Sequence, residues 1–384
     1  MYTAEAIEAG LTHSEWKIRM KWAMDLNFQP TPEQIERGLT DEEWSIREKW
    51  ALREDYVPTP EQVERGLTDE HDGIKIAWIN RKGVVPTPEQ VERGLTAQNA
   101  SIRRAWAQRD NWTPTPEQIE KGLTDPVAHV RASWSRRIDF SPTPEQIERG
   151  LKDKEYSVKK AWAERMDFTP TPEQIERGLK DWNDDIRLTW AKRKDYIPTP
   201  EQVERGLRDR EGWVRLAWAE RTDYTPTPKQ AERGITDKHW SEIIITWVRR
   251  KDVRYTPWQI ERGLTDNTWR VRKAWAERMD FIPTPIQVKR GLSDDNWEVR
   301  KVWAENPHYT ASAEQIQKGL RDTEDAVRIA WILRKDWEPT STQLQEGLQS
   351  SNEGIRAAWE KKAADMHLGV TDETDEHCSM DAFL

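Results

Sequence analysis

Ten arginines and two lysines recur at one place in the repeating pattern of this chain, each close to a tryptophan: Arg19, Arg47, Arg103, Arg131, Arg187, Arg215, Arg272, Arg300, Arg328 and Arg356, with Lys75 and Lys159. A row of cations beside indole rings has the chemistry to neutralise phosphates and stack bases, as single-strand nucleic-acid binders do. The alternative is internal. On a helical wheel Arg47 falls within the same apolar arc as Ile46 and Trp50, where a cation needs a fixed anion. Asp41, Asp69, Asp125 and Asp153 recur with the same period, so a buried Arg–Asp ladder between copies is the expected arrangement. The tryptophans then belong to the core, because a ligand site seldom needs the same large residue in every copy.

Other chemistries find little support. The seven His residues, at 13, 71, 129, 239, 308, 367 and 377, form no H-x-x-x-H pair. His367, His377 and Cys378 make one loose cluster, which in an acidic tail reads as solvated rather than metal-binding. Glu33, Glu36 and their equivalents could hide a catalytic pair, but first-turn acids at helix N-termini and a soluble outer face explain them. No P-loop, dinucleotide fingerprint or nucleophile elbow is present. No cofactor, metal or catalytic residue is therefore expected.

The elements that must hold these residues repeat. A Gly falls at Gly10, Gly38, Gly66 and onward to Gly347, always 28 residues apart except between Gly234 and Gly263, where the step is 29. A Trp follows twelve residues after each Gly, shifted by one only at Trp247. Thirteen copies result, numbered below by their Gly. Each spells two helices. In Thr31-Pro32-Glu33-Gln34 the Thr suits an N-cap, Pro the first helical position and Gln a capping box. Gly38 is expected to stop this short helix in the left-handed conformation. A second helix runs through Trp44, Ile46, Arg47 and Trp50, ending before Pro58. No segment alternates with period two. One copy buries too little apolar surface to stand alone, so neighbours must stack. The expected fold is all-α: an α-solenoid of thirteen 28-residue two-helix repeats, one domain over residues 1–362, with an acidic tail at 363–384. One Cys excludes a disulfide framework within a chain. No apolar run could cross a membrane, and the start MYTAEAIEAGL has no secretory pattern, so a cytoplasmic location is expected.

One copy reads Val299-Arg300-Lys301-Val302-Trp303-Ala304-Glu305-Asn306-Pro307, followed by Gln315-Ile316 and Gly319-Leu320. It resembles the variant leucine-rich repeat, a HEAT-like helical repeat family with a VR-x-x-V-A-x-N-P signature. The resemblance implies a right-handed superhelix of short helices and a binding or scaffolding role without catalysis. The longer period, the Trp at a small-residue position and the loss of Asn-Pro from most copies depart from that family, and no counterpart of the iron–sulfur segment of some members is present.

Positions shared by all copies build the scaffold, so function is sought where copies differ. Residues 206–290 are basic, whereas residues 1–93 and 291–384 are acidic. The basic region holds the irregular copy HWSEIIITWVRRKDVRYTPW, residues 239–258, where Ile244 takes the ladder position and one residue is inserted between Trp240 and Trp247. An insertion inside the helix would turn its face by about 100° unless a π-bulge absorbed it. Trp240, Arg249, Arg250, Lys251, Arg254 and Trp258, with Arg270 and Lys273 of the next copy, are the expected partner-binding residues; decay of one tolerated copy is the competing reading. A protein–protein scaffold engaging an acidic partner through its concave face and this copy is the leading function. The alternatives are nucleic-acid backbone recognition, including an alkylated-base glycosylase of HEAT-like fold, and a self-assembling spacer. The sequence sets no oligomeric state.

Overall fold

A computed structural model of the chain describes residues 2–371. Among them are 26 α-helices, two per copy, and no strand. The chain forms two compact units, Met1–Tyr196 and Ile197–Leu384, and each repeats the same layer.

The first helix of each copy is short, for example Pro32–Leu39, and is set by its capping box. The Thr31 hydroxyl accepts from the Gln34 amide, and the Gln34 side chain accepts from the Thr31 amide at 3.0 Å. This box recurs in every first helix from copy 2 onward. Gln also links copies: Gln62 donates to Glu36 at 3.1 Å, beside Arg65. The Glu36 column is therefore an inter-copy tie and not only a solvated acid.

Second helices, such as Trp44–Leu52, are too short to persist alone and are held by packing. Ile46 and Trp50 are almost wholly buried; an Ile so placed contributes roughly 1.5–3 kcal/mol. The indole of Trp50 lies flat on Gly38, where a Cβ would come within 2.2 Å of the ring. The left-handed glycine expected from the sequence does not form: the only positive-φ residue among those described is Gly83. The repeated glycine serves a close approach by the Trp twelve residues on, and the helix continues through Leu39.

The expected ladder is present. Arg47 donates from Nε and Nη2 to the Asp69 carboxylate of the next copy at 2.9 and 3.1 Å, and from Nη1 to its own Asp41 and Glu42 carbonyls. Arg19–Asp41, Arg103–Asp125, Arg131–Asp153, Lys159–Asp181, Arg215–Asp237, Arg272–Asp294 and Arg300–Asp322 repeat the pairing. Two interfaces lack the Asp, with Ala97 and Ser350 in its place. Both re-route the cation in one way. Lys75 turns to Asp72, which accepts from Asn99; Arg328 turns to Asp325, which accepts from Asn352.

A second buried cation column carries as much structure and has no place in the sequence reading. Arg53 donates to the Ala23 and Asp25 carbonyls at the end of the preceding second helix, to the Phe28 carbonyl in the connection after it, and to Asp55 at 3.0 Å. Its guanidinium lies between Phe28 and Trp50, 4.9 and 5.0 Å from their centroids. Arg81, Arg137, Arg165, Arg250, Arg278 and Arg334 repeat the motif, and Lys362 substitutes in the last copy. That last helix, Glu353–Thr371, continues past residue 362, where the acidic tail was expected to begin.

These links set the acid response. Arg177, with Lys152 and Gln174, holds the Glu148 carboxyl at about 2, against an ordinary 4.5, despite partial desolvation. Burial alone would raise Asp69 and Asp153, but bonds from Arg47 and Arg131 and from backbone amides hold both below the usual range. A depressed carboxyl contributes stability above its unfolded value and loses it as pH falls through the folded one. The urea midpoint should therefore be flat above pH 5 and fall steadily from about pH 4.5 to about 2; a midpoint unchanged at pH 3 would contradict this.

Candidate binding surface

The inserted residue does not enter the helix. The second helix of copy 9 runs Ser241–Arg249 with Trp240 as its N-cap, and the extra residue lengthens the turn before it. Asp237 accepts from both the His239 and Trp240 amides, at 3.0 and 3.1 Å. Helical phase is kept, so Ile243 fills the core position and Ile244 the buried ladder position. No π-bulge is needed, because a turn absorbs one residue at less cost than a broken helical ladder. Asp266 keeps the Thr268 amide but meets no ladder cation from copy 9 among the described residues.

Copy 8 is matched to this irregularity. Gly212 opens its second helix, and a Cβ there would come within 2.3 Å of the Trp240 ring. Trp240 also meets Trp213 edge-on, with centroids 4.4 Å apart. Trp240 is thus half-buried in a fitted seat rather than presented whole to a partner.

The other expected binding residues divide. Arg250 is a correction: only 8% exposed, it donates to the Ala219, Arg221 and Tyr224 carbonyls and to Asp252, and so belongs to the second cation column. Arg249 is exposed and reaches Glu277 at 3.4 Å; Lys273 reaches the same Glu277 and Glu298. Those two cations are brought together through one carboxylate. Lys251 and Arg254 are exposed, the latter 3.8 Å from Asp280. Arg270 is exposed and lies over its neighbour Trp269. Trp258 is 63% exposed, with Arg262 over its ring.

The irregular copy belongs to a longer change in one exposed column of the first helices. The second residue of the first helix is Glu33, Glu61, Glu89, Glu117, Glu145, Glu173 and Glu201 in seven successive copies. It is then Lys229, Trp258 and Ile286, before Glu314 restores the acid. Ile286 is 71% exposed, and Ile282 in the linker before it 81%. Adjacent first helices here are tied by Gln259 to Glu232 and by Gln287 to Glu261. Packed helices lie about 10 Å apart, so the three side chains form one strip flanked by Arg254 and Arg262. Lys229, Ile282 and Ile286 were detectable in the sequence, by position rather than by motif.

No group of three or more His, Cys, Asp or Glu among the described residues could hold a metal ion. His377 and Cys378 of the loose C-terminal cluster lie outside the described residues. No described helix is long and apolar enough to cross a membrane. The ladder arginines Arg47, Arg103 and Arg131 are engaged by the chain's own carboxylates.

No protein-family model matches the chain, and no curated protein does. Among solved structures it is similar to one described as a leucine-rich repeat variant with a novel repetitive protein structural motif. That match has a TM-score of 0.44 and 22% identity, covering 62% of this chain and 87% of that one. The all-α two-helix repeat is evident in the chain's own helices.

Proposed function

We propose that this protein is a non-enzymatic binding scaffold that captures an acidic protein segment on the strip Lys229, Trp258 and Ile286. The observation that carries this reading is the change of one exposed column from seven glutamates to a cation and two large apolar residues on adjacent helices. An exposed Trp among arginines has hot-spot composition. The acidic column elsewhere repels an acidic segment, and Lys229, Arg254 and Arg262 attract it, so charge selects the place while Trp258 and Ile286 supply the anchor. The two buried cation columns have internal partners, which supports a structural role for them.

The test uses the chain's own template. Trp258→Glu with Ile286→Glu installs the residue that seven other copies tolerate, so helix content and melting should not change. Selection of displayed peptides against the full chain should enrich acidic peptides with a large apolar residue. The double variant should weaken their affinity at least about a hundredfold, as loss of two hot-spot residues does. Equal affinity for the double variant would defeat the assignment. Steeply salt-dependent binding of a random oligonucleotide would favour the nucleic-acid reading instead.

A further inference from the structure

The third residue after the repeated Gly has a second duty: its side chain accepts the amide of the fifth. Asp41 accepts from Glu43 and Asp125 from Val127, each at 2.9 Å. At the ends of the array the His13 ring and the Ser350 hydroxyl do the same for Glu15 and Asn352. Every other copy with Asp at this position repeats the bond. Copy 4 departs, because its third residue is Ala97. The Asn99 backbone N–H there donates to no group among the described residues, while its side-chain amide is held by Asp72.

The same Ala removes the carboxylate that would face the ladder cation of copy 3. Lys75 is drawn to Asp72 at 2.9 Å, which engages one of its three N–H donors. Between the two copies lies a cleft of about 690 Å3. Its polar lining includes Lys75 with its partner Asp72, Arg93 and Asn99, Ala97 leaves the gap, and Ile79, Ile102 and Trp106 form the apolar side. The donors that hold a carboxylate at the sister interfaces, a cation from one copy and an amide from the next, thus face an open space with room for more than a carboxylate. The cleft between copies 12 and 13 is the internal comparison. Its Arg328, Asp325 and Asn352 mirror Lys75, Asp72 and Asn99, but Ser350 already satisfies the amide.

We infer that the cleft between copies 3 and 4 binds a carboxylate-bearing ligand. Its carboxylate occupies the place of the ladder Asp and accepts from the Asn99 amide and from Lys75, while its hydrocarbon part rests on Ile79, Ile102 and Trp106. This site lies in the first unit and is independent of the Trp258 strip.

The test titrates glutarate, and separately an acetylated and amidated Glu-containing tripeptide, into the full chain while following the Asn99 amide resonance. The expected result is a saturable shift of Asn99 that is absent at Asn352. Saturation by glutarate as well as the peptide assigns the site to free small carboxylates; saturation by the peptide alone assigns it to an acidic segment. Ala97→Asp supplies the carboxylate internally, so it should abolish the response and raise Tm by about 2 °C or more. Lys75→Met should weaken binding at least about tenfold, the scale of one lost charged hydrogen bond. No shift at Asn99 with either ligand, or an undiminished one in Ala97→Asp, overturns the inference.

Discussion

Replacing Arg165 by Ala should destabilise the first unit by about 3–5 kcal/mol, the scale of removing one partner from a buried ion pair. Arg165 is 6% exposed. Its Nη1 donates to the Ser135 and Arg137 carbonyls, its Nη2 to the Phe140 carbonyl at 3.1 Å, and its Nε to Asp167 at 2.9 Å. The side chain therefore closes the end of the preceding second helix, neutralises a carboxylate and fills the gap between Phe140 and Trp162. Truncation leaves carbonyls without donors in a space too tight for free hydration. Arg165→Lys should cost less than half as much, because Lys362 in the same column already donates to the Arg334 and Trp337 carbonyls. Urea unfolding with amide exchange should place the loss at copies 5 and 6, with copy 2 less affected. A cost below about 1 kcal/mol would show that water replaces the guanidinium.

Gly150→Ala should be nearly as damaging, at about 3 kcal/mol, the upper range for overpacking a core. Helix propensity predicts the opposite sign, since Ala is preferred to Gly by up to about 1 kcal/mol. The two arguments separate because the added Cβ would come within 2.0 Å of Trp162 Nε1. Trp162 is itself about 1% exposed and has nowhere to retreat. A thermal melt of Gly150→Ala decides between them: a raised Tm would mean the indole shifts at little cost. Gly83→Ala offers a contrast. Nothing lies within 4 Å of its would-be Cβ, so the penalty there comes from its φ of +79° alone.

Features that depend on spacing were legible in the sequence. Period, helix pairs, capping boxes and the Arg–Asp ladder all join side chains at fixed separations, so their partners recur in the text as they do. The second cation column was not legible in the same way, because Arg53 and Arg165 bond mainly to backbone carbonyls, which have no letter. Only the recurring Arg-x-Asp, as in Arg53 and Asp55 or Arg165 and Asp167, hints at it. The same gap placed Arg250 on the surface, where a basic run suggested a patch. Gly38 was misread for a different reason: a rule for helix ends competed with a packing contact twelve residues away, and the tertiary contact won. The inserted residue went astray because only geometry tells a lengthened turn from a longer helix. Trp258 was legible as a surface residue by its place in the first helix. Its neighbours Lys229 and Ile286 emerge only when copies are aligned column by column.

The pairing of Gly212 with Trp240, like that of Asp72 with Asn99, places each half of a fitted contact in a different copy. A transplanted copy 9 without copy 8 would drive Trp240 into whatever side chain replaces Gly212. What recombination can exchange intact is therefore the junction, cut from the middle of one repeat to the middle of the next. Chimeras that break anywhere between Gly212 and Trp240, the Thr-Pro boundary included, should misassemble where those that carry residues 212–240 together do not, so heredity in this array runs through its seams rather than its sentences.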